Sequence, residues 1–296
     1  MRKTLLSSTL LIFVTVLMLL TGRVASAGNH LQVESSLKVV KQGDVCLVSV
    51  LGPASSKPVF VEFQGGRFPL VFSEQRRTYE GLIGIDMNTR PSTYEMKILA
   101  KGGGSDIYFS GLTLQVERVD FGTEELWLPS SMVDLDAKTL DRVNKEERQL
   151  ASLFRKSREE RLWAGAFVCP VEGELSGVFG MGRIINGHRR SPHTGVDLRA
   201  KEGAPVLACN GGEVVLVKPL FFSGKSVILD HGWGFYSMYF HLSEVLVKEG
   251  NRVGKGTHLG RVGSTGRSTG PHLHWGMRMS GTRVDPFSLL KLGQMW

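Results

Sequence analysis

Hydrophobic and polar positions divide the chain into stretches of different texture. Residues 5–20 form one unbroken apolar run without charge. From about 31 to 118 the apolar residues come in short runs, at 45–50, 59–63, 81–85, 94–99 and 107–116. Turn residues separate them: Gly52-Pro53, Gly65-Gly66, residues 88–91 and Gly102-Gly103-Gly104. Short β-branched and aromatic runs recurring roughly every ten residues predict a small all-β sandwich of immunoglobulin-like type over residues 28–120. Between 134 and 161 there are 15 charged residues in 28 and neither Gly nor Pro. Leu140, Val143, Leu150 and Leu153 keep a partial helical spacing there, and Asp134 or Asp136 can cap the start. Residues 121–163 therefore read as a charged helical linker, one helix or two, whose narrow apolar stripe packs along a neighbouring domain. After Cys169 glycine is dense, 22 of the last 128 residues, and apolar runs return at 214–217, 227–230, 235–240, 259–262 and 272–277. An antiparallel β domain with tight turns fits residues 164–296. The fold class predicted is mainly β.

Composition narrows this picture little. The 296 residues are 42% hydrophobic, 22% charged and 8% aromatic, ordinary values that exclude a wholly disordered chain and a multi-span membrane protein. Charge distribution is more informative than the net +8. Residues 1–27 carry three basic and no acidic groups, residues 28–163 carry 18 and 19, and residues 164–296 carry 15 and nine. The C-terminal domain is thus the basic one and suits an anionic polymer. Interleaved aromatics of the kind that stack on bases are missing, which argues against nucleic acid.

The first 27 residues have the layout of a secretory signal peptide: basic Arg2 and Lys3, the apolar run, then Ala25-Ser26-Ala27 as a small-residue cleavage site. A soluble mature protein beginning at Gly28 is expected, exported and more consistent with a Gram-negative periplasm than with full secretion. An uncleaved anchor is the alternative, although the run is short for a span of ~20 residues. No stable membrane insertion is expected after cleavage. The three cysteines, Cys46, Cys169 and Cys209, sit in apolar stretches and read as free, buried small hydrophobes. A Cys169–Cys209 disulfide is the other possibility.

Seven of the eight histidines follow residue 187. Three segments stand out: His193-Thr-Gly-Val-Asp197, Tyr239-Phe240-His241-Leu242-Ser243, and Gly270-Pro271-His272-Leu273-His274-Trp275-Gly276. Pro271 and Gly276 disfavour a helix at the third. In a strand His272 and His274 share a face, about 6.6 Å apart, so one imidazole can bind a metal while the other faces the water beside it. His193 and Asp197 would lie about 13 Å apart on a straight strand, so joint ligation requires a bend, which Gly195 permits. Two histidines and a carboxylate with an open position form the pattern of catalytic zinc, whereas structural zinc usually recruits cysteines.

With these segments in view, residues 170–290 resemble the lysostaphin-type zinc metallopeptidases, the LytM-domain or M23 peptidoglycan endopeptidases. The resemblance runs through Phe179-Gly180 with Arg183, His193 to Asp197, Gly203-Ala-Pro-Val206 and Asp230-His231-Gly232. It continues through Tyr239 to Ser243, Gly263-Ser-Thr-Gly266, Ser268-Thr-Gly-Pro-His272-Leu-His274 and Val284-Asp285-Pro286. It implies one Zn2+ per chain held by His193, Asp197 and His274, with His241 and His272 as the catalytic histidines. It further implies hydrolysis of peptide bonds in peptidoglycan stems or cross-bridges. The long spacer and secretory layout suggest a Gram-negative periplasm and so make D-Ala–diaminopimelate the expected bond, with a glycine bridge the alternative. Which histidine acts as base is left open. His188, His231 and His258 match no functional position and read as surface or turn residues. The loop 220–224 lacks the tyrosine that some members place there. Members that have lost ligands act as non-enzymatic regulators of other wall hydrolases, but all five site residues are present here. Because residues 31–118 carry no metal-type cluster, residues 164–296 alone are expected to bind zinc and hydrolyse, with the upstream parts covering the groove.

Overall fold

The computed structural model describes residues 32–292 apart from 36–37, 52–53, 55–57, 101–106, 157 and 159. The apolar leader, its cleavage site and the turns Gly52-Pro53 and Gly102-Gly103-Gly104 lie outside the described residues. The protein is mainly β. Its first eight strands are β1 (Gln32–Ser35), β2 (Val39–Lys41), β3 (Val45–Leu51), β4 (Val59–Phe63), β5 (Gly66–Ser73), β6 (Thr78–Gly84), β7 (Ser92–Ala100) and β8 (Ile107–Glu117). They form one path of hydrogen-bonded neighbours, β1-β3-β6-β5-β4-β7-β8-β2. Strand β5 joins its two halves: Gly66 to Leu70 pair with β4, and Val71 to Ser73 pair with β6. Gly81 permits this corner, because any Cβ there would collide with the Pro69 carbonyl. The N-terminal domain is therefore a continuous folded sheet closing on Val48, Val61, Phe68, Ile83 and Ile98, all buried. Strand β5 belongs to both halves, and β2 pairs in parallel with β8. The β4–β5 hairpin turns on Gln64 and Gly65, both at positive φ, one residue earlier than the glycine pair implies and as a two-residue hairpin loop requires.

Strand β9 (Thr123–Leu126) and helix α1 (Ala137–Phe154) follow. The Asp136 carboxylate accepts from the Thr139 N–H at 2.7 Å and caps α1. Val143 and Phe154 are buried, while Leu140 stays largely exposed, so the apolar stripe is shorter than its spacing predicts. Phe154, with Leu150 and Leu153, packs on Leu216, Ile228, Tyr236 and Met238.

The C-terminal domain contains β10 (Glu174–Gly177), β11 (Gly182–Ile185), β12 (His188–Arg190), β13 (Gly195–Arg199), β14 (Pro205–Leu207), β15 (Gly212–Leu220), β16 (Gly224–Gly232) and β17 (Phe235–Leu242). It is completed by β18 (Glu244–Val245), β19 (Arg252–Val253), β20 (His258–Arg261), β21 (His272–Met279), β22 (Thr282–Val284) and α2 (Pro286–Leu292). Its main sheet has the order β10-β13-β21-β17-β16-β15-β19, antiparallel throughout, with β22 on β21. Trp275 and Tyr239 are completely buried beneath it.

The two β domains share one continuous core. The Asp285 N–H donates to the Gly43 carbonyl and the Val45 N–H to Ser288 Oγ, both at 2.8 Å. Arg283 N–H donates to Asp86 Oδ2 at 3.0 Å. The N-terminal domain thus docks on the β22–α2 end of its partner.

Two expectations need correction. His188 and His258 are exposed, but His231 is fully buried. Its Nδ1 donates to the Gly211 carbonyl at 2.6 Å, its Nε2 meets Ser237 Oγ at 2.7 Å, and burial pushes it down to about 4. It is a neutral core histidine whose polar atoms are satisfied internally. All three cysteines are free, as expected, but Cys169 is exposed, whereas Cys46 and Cys209 are buried.

Candidate metal centre and groove

Three strands bring the histidine segments together. Asp197 of β13 lies directly opposite His274 of β21, and His274 lies opposite Phe240 of β17. The Phe240 ring stacks on His274, with centroids 5.5 Å apart and planes 5° from parallel, which fixes the imidazole. His193 precedes β13. Its backbone N–H donates to the Met181 carbonyl at 2.9 Å, and its carbonyl accepts from Gly180 N–H at 2.8 Å. The chain therefore leaves the strand direction before Gly195, so His193 reaches Asp197 without the 13 Å separation of a straight strand.

Gly195 contributes space and not a left-handed bend. A Cβ there would lie 2.5 Å from the Trp275 carbonyl oxygen and 2.8 Å from His274 Nε2. Gly177 of β10 does the same for Asp197, whose Oδ2 would be 2.6 Å from an added Cβ. Gly195→Ala is expected to displace the His274 ring and weaken zinc retention about tenfold, the usual scale of an overpacked site. Competition with a chromogenic chelator measures this, and unchanged affinity would refute it.

The polar atoms converge closely. His193 Nε2 is 2.9 Å from Asp197 Oδ1 and 2.9 Å from His274 Nδ1, and His274 Nδ1 is 2.8 Å from Asp197 Oδ1. His193 Nδ1 faces the Val178 carbonyl at 2.9 Å, so it carries the ring proton and leaves Nε2 with a lone pair. A lone pair aimed at a carboxylate oxygen is repulsive, and a cation between them reverses the sign. Two imidazole nitrogens and one carboxylate oxygen also match the donor set of catalytic zinc. The residues fit a metal ion. Burial pushes the Asp197 carboxyl upward, but the flanking imidazoles of His193 and His274 outweigh it and hold the carboxyl well below the usual range. Burial pushes His274 down to about 4, so its imidazole is neutral at pH 7, as a ligand must be.

His241 and His272 stand beside this group with ring centroids 4.7 Å apart. His241 Nδ1 donates to the Thr265 carbonyl at 2.7 Å, and His272 Nδ1 donates to the Gly270 carbonyl at 2.9 Å. Each ring therefore keeps Nε2 free of its own proton when neutral, and His272 Nε2 lies 3.8 Å from Asp197 Oδ1. Burial, reinforced by His274 and His272, pushes His241 to about 3. His241 also adopts φ 63°, strained for a residue with a Cβ and characteristic of functional sites.

Two further residues belong here. Arg183 donates through Nη2 to Asp197 Oδ2 at 3.2 Å and through Nε to Glu124 Oε1 at 2.6 Å. Glu124 lies on β9, which pairs in parallel with β11. The stretch expected to be only a helical linker thus supplies a strand to the C-terminal domain and a carboxylate that holds Arg183 against Asp197. Glu124, Leu126 and Leu128 wall one side of a groove of about 920 Å³ that includes Asp197, His241, His272 and His274. Among the described residues, none of the N-terminal sheet lines it. Truncation to residues 164–296, expected from sequence to preserve or raise activity, should instead lower both zinc retention and turnover. Glu124→Ala in the full chain should move both in the same direction, and a truncate as active as the full chain would refute this.

Residues 191–286 match the model of Peptidase family M23. The peptidoglycan DD-endopeptidase ShyA of Vibrio cholerae is 39% identical over 97 residues, 33% of this chain and 23% of that protein. ShyB of the same organism, also a peptidoglycan DD-endopeptidase, is 36% identical over 143 residues, 48% of this chain and 28% of its own. The matched stretch thus spans about a quarter of the length of these relatives. A crystal structure of a peptidase M23 from Pseudomonas aeruginosa superposes with a TM-score of 0.64 at 28% identity, covering 84% of this chain and 93% of that one.

Proposed function

We propose that this chain, which carries a domain of peptidase family M23, is an exported zinc-dependent endopeptidase that hydrolyses peptide cross-links in peptidoglycan. The observation that carries the reading is the convergence of His193 Nε2, Asp197 Oδ1 and His274 Nδ1 within 2.8–2.9 Å beside two histidines whose Nδ1 protons are tied to carbonyls. The names of the Vibrio relatives support peptidoglycan as substrate, and the basic C-terminal half suits that anionic polymer. The periplasm is the proposed compartment, on the strength of the leader sequence.

His193, Asp197 and His274 would hold the ion. Bound zinc supplies Lewis acidity toward a carbonyl oxygen and lowers the pKa of water toward ~7. The chain's own residues do the remaining work. Neutral Nε2 of His241 or His272 accepts a proton from the attacking water. The protonated partner hydrogen-bonds the oxygen on which charge develops and then returns a proton to the leaving amine. Arg183, braced by Glu124, neutralises the second oxygen of Asp197 and fixes its orientation.

Digestion of purified sacculi, compared with soluble unrelated peptides and read by mass spectrometry, tests this. Cross-linked muropeptide dimers should fall to monomers, each cleavage adding one water, while the soluble peptides persist. Intact dimers in the presence of zinc-loaded protein would refute it.

A further inference from the structure

Arg267 is a half-buried cation in the groove wall. Its guanidinium carbon lies 4.1 Å from the centroid of the Phe222 ring, and its backbone N–H donates to the Phe222 carbonyl at 2.8 Å. Among the described residues, no carboxylate or other acceptor engages that guanidinium. Arg183, by contrast, is paired with both Glu124 and Asp197. Arg183 and Arg190 both act electrostatically on Arg267, and with burial they lower it to about 10, so it remains charged at neutral pH. Arg183 and Arg267 both line the groove, and the one stacked on an aromatic face has its donors unspent.

The position of Arg267 gives this surplus charge a chemical meaning. It lies in the segment that touches both catalytic histidines: the Thr265 carbonyl holds His241, and Ser268 Oγ lies 3.2 Å from His272 Nδ1. A planar guanidinium fixed by stacking is suited to receive a carboxylate in a bidentate fork. In a D-Ala–diaminopimelate cross-link the carbon bearing the scissile nitrogen also carries a free carboxylate. It is the only free carboxylate adjacent to that bond, and a glycine bridge has none.

We infer that Arg267, seated on Phe222, is the receptor for a substrate carboxylate on the carbon that bears the scissile nitrogen, and selects cross-links of that class. This rests on the peptidase reading above and adds a specificity determinant to it. The loop 220–224, which lacks the tyrosine of some family members, then has its own use, with Phe222 as the platform that holds the arginine.

The test uses the zinc-loaded full chain and two synthetic cross-linked dimers that differ in one group, a free carboxylate or a carboxamide beside the scissile nitrogen. Wild-type protein should prefer the carboxylate by about tenfold to a hundredfold in kcat/KM, as a lost charge-assisted pair predicts. Arg267→Met should cleave the two dimers with kcat/KM values within about twofold of each other, and Arg267→Lys should keep part of the preference. Equilibrium binding of both dimers to wild-type protein runs in parallel. If neither dimer is cleaved but the carboxylate form binds more tightly, the peptidase reading fails and the carboxylate site stands. Equal cleavage and equal binding by wild type, or a preference undiminished in Arg267→Met, would overturn the inference. Should Arg267→Met fold poorly, the wild-type comparison and Arg267→Lys still decide it.

Discussion

Replacing His274 by alanine is expected to remove metal and activity together. Its Nδ1 is one of three atoms that converge within 2.8–2.9 Å, and two remaining donors are too few to retain zinc at a site built for three protein ligands. Lewis-acid stabilisation is worth several kcal/mol, so turnover of a cross-linked muropeptide should fall about a thousandfold or more. His193→Ala should behave in the same way. Circular dichroism should show that the His274 variant keeps its fold. Atomic absorption on the purified variant reads the metal. A His274→Ala protein that retains one zinc and full activity would place the site elsewhere.

His272→Ala should separate the two properties. Its Nδ1 is tied to the Gly270 carbonyl and its Nε2 stands 3.8 Å from Asp197 Oδ1, outside the trio. Removing it leaves the ligands intact and takes away a proton carrier, typically worth ~10²–10⁴ in rate. The variant should therefore bind near-stoichiometric zinc and turn over slowly. His241→Ala should match it in rate and metal content. If His272→Ala emerges metal-free while His274→Ala stays loaded, the two roles are exchanged.

The uneven legibility of the molecule in its sequence has physical causes. Runs that alternate or branch at Cβ marked strands well: residues 59–63 coincide with β4, and 272–277 fall inside β21. The five residues that the resemblance points to stand side by side in the fold, because motif residues far apart in sequence lie on strands that pair. What escaped was non-local. Glu124 lies in a short, polar segment whose strand exists only because β11 is there to pair with it, and no local pattern announces a parallel pairing across more than fifty residues. Gly195 looked like a hinge because glycine is usually read through its φ, yet its use is the missing Cβ beside His274. Leu140 kept helical spacing but ended on the exposed side of α1, since spacing fixes relative directions and the partner surface fixes how far the stripe extends. His231 matches no functional position and so reads as a surface or turn residue, although the core closes over it through the Gly211 carbonyl and Ser237.

Stoichiometric reconstitution tests the central claim most directly. Metal-free full-length protein, prepared by chelation and titrated with Zn2+, should gain cross-link cleavage in proportion to bound zinc up to one equivalent per chain and no further. The His274→Ala protein should gain none across the same titration. Full cleavage by the metal-free protein, or a saturated zinc site with cross-links left intact, would contradict the account.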